Sequence, residues 1–168
     1  MEELITNREK FDIFLEVAGK INRKLKIVPV LYGSLGLNLE IGEFCKSSDV
    51  DILIDDKFIE GRWTELQGLM NQLNFRLKNE REHEFMRDEE IVAFAKEGDL
   101  QKLADIDSES LEIKDVKGVK FRVLNLNQYL RVYELMDRDD YRKEKRGKED
   151  KEKIRVIKKF LKAKESIA

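Results

Sequence analysis

The stretch Asp49-Val50-Asp51-Ile52-Leu53-Ile54 alternates carboxylate and aliphatic side chains before becoming wholly apolar. A strand sends successive side chains to opposite faces. This order therefore predicts a strand with Asp49 and Asp51 on one face and Val50 and Ile52 in the core. Upstream, Ile27-Val28-Pro29-Val30-Leu31-Tyr32 is a short apolar run with β-branched residues, which reads as a second, buried strand. It leads into Gly33-Ser34-Leu35-Gly36, a tight turn whose glycines let a ligand come close to the backbone.

The remaining pattern supplies the frame around these two strands. Apolar residues at three- and four-residue steps predict helices over 8–25 and about 61–77. Residues 84–87 and 91–95 read as strands around the polar turn Asp88-Glu89-Glu90, and 99–104 as a short helix. Residues 111–116 and 119–124 alternate about Lys117-Gly118 as a hairpin. Helices follow over 126–136 and 148–164, separated by the charge-dense 137–147. The order predicts an α+β domain with an α/β-type core: a mixed sheet, helices packed mainly on one face, and C-terminal helices.

With 168 residues, one proline and no internal repeat, a single domain over 1–168 is expected, its core at about 8–124 and its C-terminal helical part at about 126–164. The 33 basic and 35 acidic residues nearly cancel, which argues against a protein that coats nucleic acid, although a local basic patch stays open. Cys45 is the single cysteine, the first residues lack a basic-then-apolar leader, and no apolar run reaches the roughly 20 residues that span a bilayer. A cytoplasmic protein with no membrane partner is the expectation.

Two carboxylates on one strand face suit Mg²⁺, which commonly completes its shell with waters and substrate phosphates. The amides of Gly33-Ser34 and the Ser34 hydroxyl can hold phosphate oxygens if the turn feeds a helix or forms an amide nest. Together, Val30-Leu31-Tyr32-Gly33-Ser34 and Ser48-Asp49-Val50-Asp51-Ile52 resemble the signature of the nucleotidyltransferase superfamily with the DNA-polymerase-β-like palm. The resemblance is strong over about 27–54. Phe121-Arg122-Val123-Leu124, Gln128-Tyr129-Leu130 and then Lys148, Asp150 and Lys151 are similar to the ends of small antibiotic nucleotidyltransferases and their uncharacterised bacterial relatives, although such charges more often form a solvated helix face.

The resemblance implies a nucleotidyltransferase fold and a Mg²⁺-dependent transfer of a nucleoside monophosphate from an NTP to a small-molecule or protein acceptor. Asp49 and Asp51 would be the catalytic and metal residues, Gly33 and Ser34 the nucleotide-binding ones. A homodimer is compatible with it, since two-subunit sites are common in that family. The resembled family also places a third acid within a following strand, as metal ligand or general base. Residues 91–95 have none; the nearest acids are Glu84, Glu90, Glu97 and Asp99, of which Glu84 and Glu97 are the candidates carried forward, with His83 as a candidate base. The alternative is a catalytically degenerate member that binds a nucleotide or a partner. Cys45 has no histidine or second cysteine near it in the chain; Tyr129, Tyr133 and Tyr141 could stack on a base, although Tyr129 and Tyr133, one helical turn apart, read rather as core.

Overall fold

The computed structural model describes residues 2–42, 49–138 and 140–167. The chain opens with α1 (Glu2–Leu25), whose Phe14, Val17, Ala18 and Ile21 are buried at three- and four-residue steps. Arg23 and Lys24 sit in its last turn, where cations complement the helix dipole. The Asn22 side chain then ties this end to the Ile27 and Lys120 carbonyls and accepts from the Lys120 amide.

The elements that follow are β1 (Val30–Tyr32), α2 (Gly33–Ile41), β2 (Val50–Ile54), α3 (Trp63–Gln72), β3 (Arg76–Asn79), β4 (Glu84–Arg87), β5 (Glu90–Lys96), α4 (Gly98–Ala104), β6 (Glu112–Val116), β7 (Val119–Val123), α5 (Leu126–Asp137) and α6 (Asp140–Ile167). The seven strands form one mixed sheet in the order β3-β4-β5-β2-β1-β7-β6. β2 runs antiparallel to β1 and parallel to β5, and β1 runs parallel to β7.

Alternation along the strands feeds two cores. Leu31, Val50, Ile52, Ile54, Val92, Phe94 and Phe121 point to the face covered by α1 and α3. Val30, Leu53 and Leu124 point to the face covered by α2, α4, α5 and α6. The first core is aromatic, with Phe14 edge-on to Phe121 at 5.0 Å and Phe85 edge-on to Phe94 at 5.8 Å. Burying each such ring contributes roughly 1.5–3 kcal/mol.

The mixed-sheet α+β architecture holds, and several details depart from the sequence pattern. Helices cover both faces of the sheet rather than mainly one. Residues 33–41 form a helix rather than a turn: α2 is buried at Leu35, Gly36, Leu37, Asn38 and Ile41, so it shows no polar face to mark it. The helix predicted to reach residue 77 stops at Gln72, and Leu77 belongs to the edge strand β3. The chain reverses at Asn74, in the left-handed region at φ 67°. α6 begins at Asp140, because the Lys, Arg and Glu that looked like a separator are good helix formers. The spacer reading that involved Cys45 lies outside the described residues.

Among the described residues, no helix is long and apolar enough to cross a membrane.

Candidate functional site

The sheet register assembles the site one residue at a time. Tyr32, the last residue of β1, pairs with Asp51 of β2; Asp51 pairs with Ala93 of β5; and Ala93 pairs with Glu84 of β4. Cross-strand partners share a face, so these four residues form one row on the side of the sheet opposite Val50 and Ile52. Asp49 sits one residue before β2, at the position that aims to the same face as Asp51.

At the end of β1 the chain turns at once into α2. Gly33 makes this turn with φ 67°, a conformation that L side chains rarely adopt. A methyl group there would strike the Asp51 carboxylate and come within 3.1 Å of the Asp51 Cβ. The glycine is thus required twice, by its backbone angle and by its neighbour. Tyr32, in the N-cap position, gives α2 no side-chain cap, and the first turn carries no acid. The leading amides and the positive end of the dipole at such a helix start favour an anion. Ser34 adds a hydroxyl at the same place.

α5 closes the other side. Asn125 and Gln128 form a capping box, each side chain accepting the other's backbone N–H at 2.8 Å, which fixes where the helix starts. Tyr32, Tyr129 and Tyr133 consequently stack in a row, with ring centroids 6.3 Å and 6.1 Å apart. The Tyr129 hydroxyl is buried without a hydrogen-bond partner among the described residues, packed where any side chain on Gly36 would have to go. Burial holds its ionisation well above the ordinary tyrosine value. Lys153 of α6 lies over the Tyr133 ring, 5.0 Å from its centroid.

These walls border a half-open cavity of about 370 Å³. Gly33, Ser34, Asp49, Asp51 and Glu84 line it together. Tyr133, weighed from the sequence as a residue that could stack on a base, lines it as well, and so do Glu82, Met136 and Lys153, none of which the sequence singled out for this role. Lys153 had a usable signal: it falls four residues before the buried Ile157 and so interrupts the apolar face of α6 with a cation. Glu82, two residues before Glu84, had a weaker one.

The other two candidates lie elsewhere. The amide of Glu97 donates to the Ile54 carbonyl at 2.9 Å, at the far end of β2 and roughly 13 Å of strand beyond the Asp51 row. Burial raises its carboxyl above the ordinary range, and Asp55, Glu109 and Asp56 add to the shift. His83, at φ 55°, turns its ring onto Trp63, edge-on at 5.1 Å, on the α3 side of the sheet. Neither lines the cavity. In the tail, Lys148 and Lys151 are exposed as a solvated face would be, whereas Asp150 is fully buried.

Asp49 and Asp51 offer the hard oxygen ligands that Mg²⁺ takes, and one or two carboxylates suffice where substrate phosphates complete the shell. Among the described residues, no three His, Cys, Asp or Glu side chains stand close enough together to hold a metal ion. Glu84, on the same face, is two strand spacings from Asp51, about 10 Å between backbones, with the short side chain of Ala93 between them.

The chain is 32% identical over 151 residues to the uncharacterized protein YnaI of Bacillus subtilis (strain 168), a match covering 90% of this chain and 97% of that one. It belongs to the YnaI family. No family model and no solved structure matches it.

Proposed function

We propose that this protein is a nucleotidyltransferase-fold enzyme that moves a nucleoside monophosphate from an NTP to a hydroxyl of a small-molecule or protein acceptor. The observation that carries the reading is the single cavity lined by Gly33, Ser34, Asp49 and Asp51, with the glycine packed on the second aspartate. The α2 amides and the Ser34 hydroxyl would hold phosphate oxygens, and Lys153 would add positive charge from the opposite wall. Asp49 and Asp51 would hold Mg²⁺, which when bound neutralises charge on the transferring phosphoryl group. The acceptor oxygen bonds to the α-phosphorus, the α–β anhydride bond breaks, and pyrophosphate leaves. Glu84, which lines the same cavity, would take the acceptor's proton.

A second reading, a nucleotide binder without transfer, draws on Ala93. It occupies the position beside Asp51 in the row, where an acid would bring a third carboxylate next to the pair. Incubation with each labelled NTP, Mg²⁺ and a panel of hydroxyl acceptors separates the two readings when paired with calorimetric titration of the same nucleotides. Transfer that Asp49→Ala plus Asp51→Ala abolishes supports the enzyme. Binding without transfer supports the binder, and neither at millimolar nucleotide removes both.

A further inference from the structure

α6 turns two chemistries in opposite directions. Its inward face buries Asp150 and Ile157 and offers Lys153 to the cavity. Its outward face carries Lys148, Lys151, Arg155, Lys158, Lys159 and Lys162, every one exposed. At 3.6 residues per turn these six fall within a band of roughly 100°, and at 1.5 Å per residue the row is roughly 21 Å long. Between Lys153 and Lys164 the chain has six basic residues and no acid, in a protein whose net charge is −2. Glu152, at the edge of the band, pairs with Arg155.

We propose that this stripe docks the phosphate backbone of a polynucleotide, without reading its sequence. A straight row of cations on flexible stems complements a linear polyanion and gains affinity by releasing its counterions. An interfacial membrane helix needs a free apolar face. That face of α6 is taken up by its packing, with Ile154, Val156 and Leu161 set against the core and only Phe160 well exposed. An acidic protein would want buried aromatic or arginine anchors at the centre of the contact. The row is lysine except for Arg155 at its middle, whose guanidinium already pairs with Glu152.

The test measures anisotropy of the full chain with fluorescein-labelled 20-nucleotide RNA, DNA of the same sequence, and polyglutamate, each from 50 to 200 mM KCl. The expected result is micromolar binding to RNA or DNA, weaker binding to polyglutamate, and a log-log salt slope of about −3 or steeper. Whichever nucleic acid binds more tightly identifies the source. Lys151→Gln, Arg155→Gln, Lys158→Gln together should weaken binding at least tenfold and flatten the slope by about 2. The control Arg23→Gln, Lys24→Gln, Lys26→Gln removes the same charge from exposed positions at the end of α1 and should change binding less than twofold. The salt slope of the unaltered protein needs no variant, so a poorly folded triple mutant does not shield the idea. Equal loss in the two triples, polyglutamate bound as tightly as RNA, or no nucleic-acid binding at 50 mM salt would overturn it.

Discussion

Both ends of β2 carry a carboxylate packed against a glycine, and the two ends use that contact differently. At one end Asp51 presses on Gly33; at the other Asp56 presses on Gly98. The Asp56 carboxylate accepts the Gly98 amide at 2.9 Å and caps the first turn of α4, while Asp55 accepts from the Lys57 amide at 3.1 Å. That end is a joint that holds helix to sheet. The Asp51 end borders a cavity at the start of α2, where the N-cap residue Tyr32 gives no side-chain cap. An acid beside a glycine is therefore not diagnostic by itself; what distinguishes the two ends is that Asp51 lines the cavity and Asp56 does not.

The sharpest way to break this comparison is to remove the acids from each end in turn. Asp49→Ala plus Asp51→Ala should reduce nucleotide transfer by at least about 100-fold and leave the melting temperature unchanged or higher, because acids gathered at a site often cost stability. Calorimetry and a labelled-NTP assay on one preparation check both halves. A melting temperature that falls steeply would make Asp51 another joint.

Gly33→Ala ranks next. It forces alanine into the left-handed region, which costs roughly 1–2 kcal/mol, and drives a methyl group into Asp51. The melting temperature should drop by about 4 °C or more, and nucleotide affinity by about tenfold. Asp56→Ala should cost about 1 kcal/mol through loss of the α4 cap, or about 2–4 °C, with nucleotide affinity unchanged in titration.

The smallest effect belongs to Glu97, beside the structural joint. Burial raises its carboxyl in the folded protein, so the folded chain keeps this proton to higher pH than the unfolded chain does. The stability it contributes is present at acid pH and is lost as pH rises through the carboxylate range. Glu97→Gln should raise the melting temperature at pH 7 by no more than about 2 °C, since the group is partly solvated, and the gain should vanish below about pH 4. Thermal melts across that range check the sign.

The half of the cavity made by Gly33, Ser34, Asp49 and Asp51 was legible because its residues lie close in the chain and their spacing matches the strand period. The other half was not. Tyr133, Met136 and Lys153 come from helices about a hundred residues later, and although the apolar stripe of α6 marks its inward face, nothing in the chain says that this face meets the Asp49–Asp51 strand. Tyr129 and Tyr133 were read as core, which both are, but Tyr133 also forms a wall. β3 escaped because Arg76-Leu77-Lys78-Asn79 has a single apolar residue, as an edge strand with solvent on most sides can. α2 escaped for the opposite reason, being buried on so many sides that no periodicity survives. Glu97 and His83 were reasonable by position in the chain, and strand register alone carried them to the far end and the other face.

The tyrosine stack has a consequence for how the protein comes into being. During synthesis, Gly33, Ser34, Asp49 and Asp51 leave the ribosome early. β1 must then wait for β7, its sheet neighbour about ninety residues on, and the cavity waits for Tyr133 and Lys153 after that. At roughly 5–20 residues per second, the half-site stays open to water for several seconds while its second wall is still being made. A truncated chain that stops before α5 would carry the whole recognisable motif and have no second wall. Competence here is acquired last, from the part of the chain that least announces it.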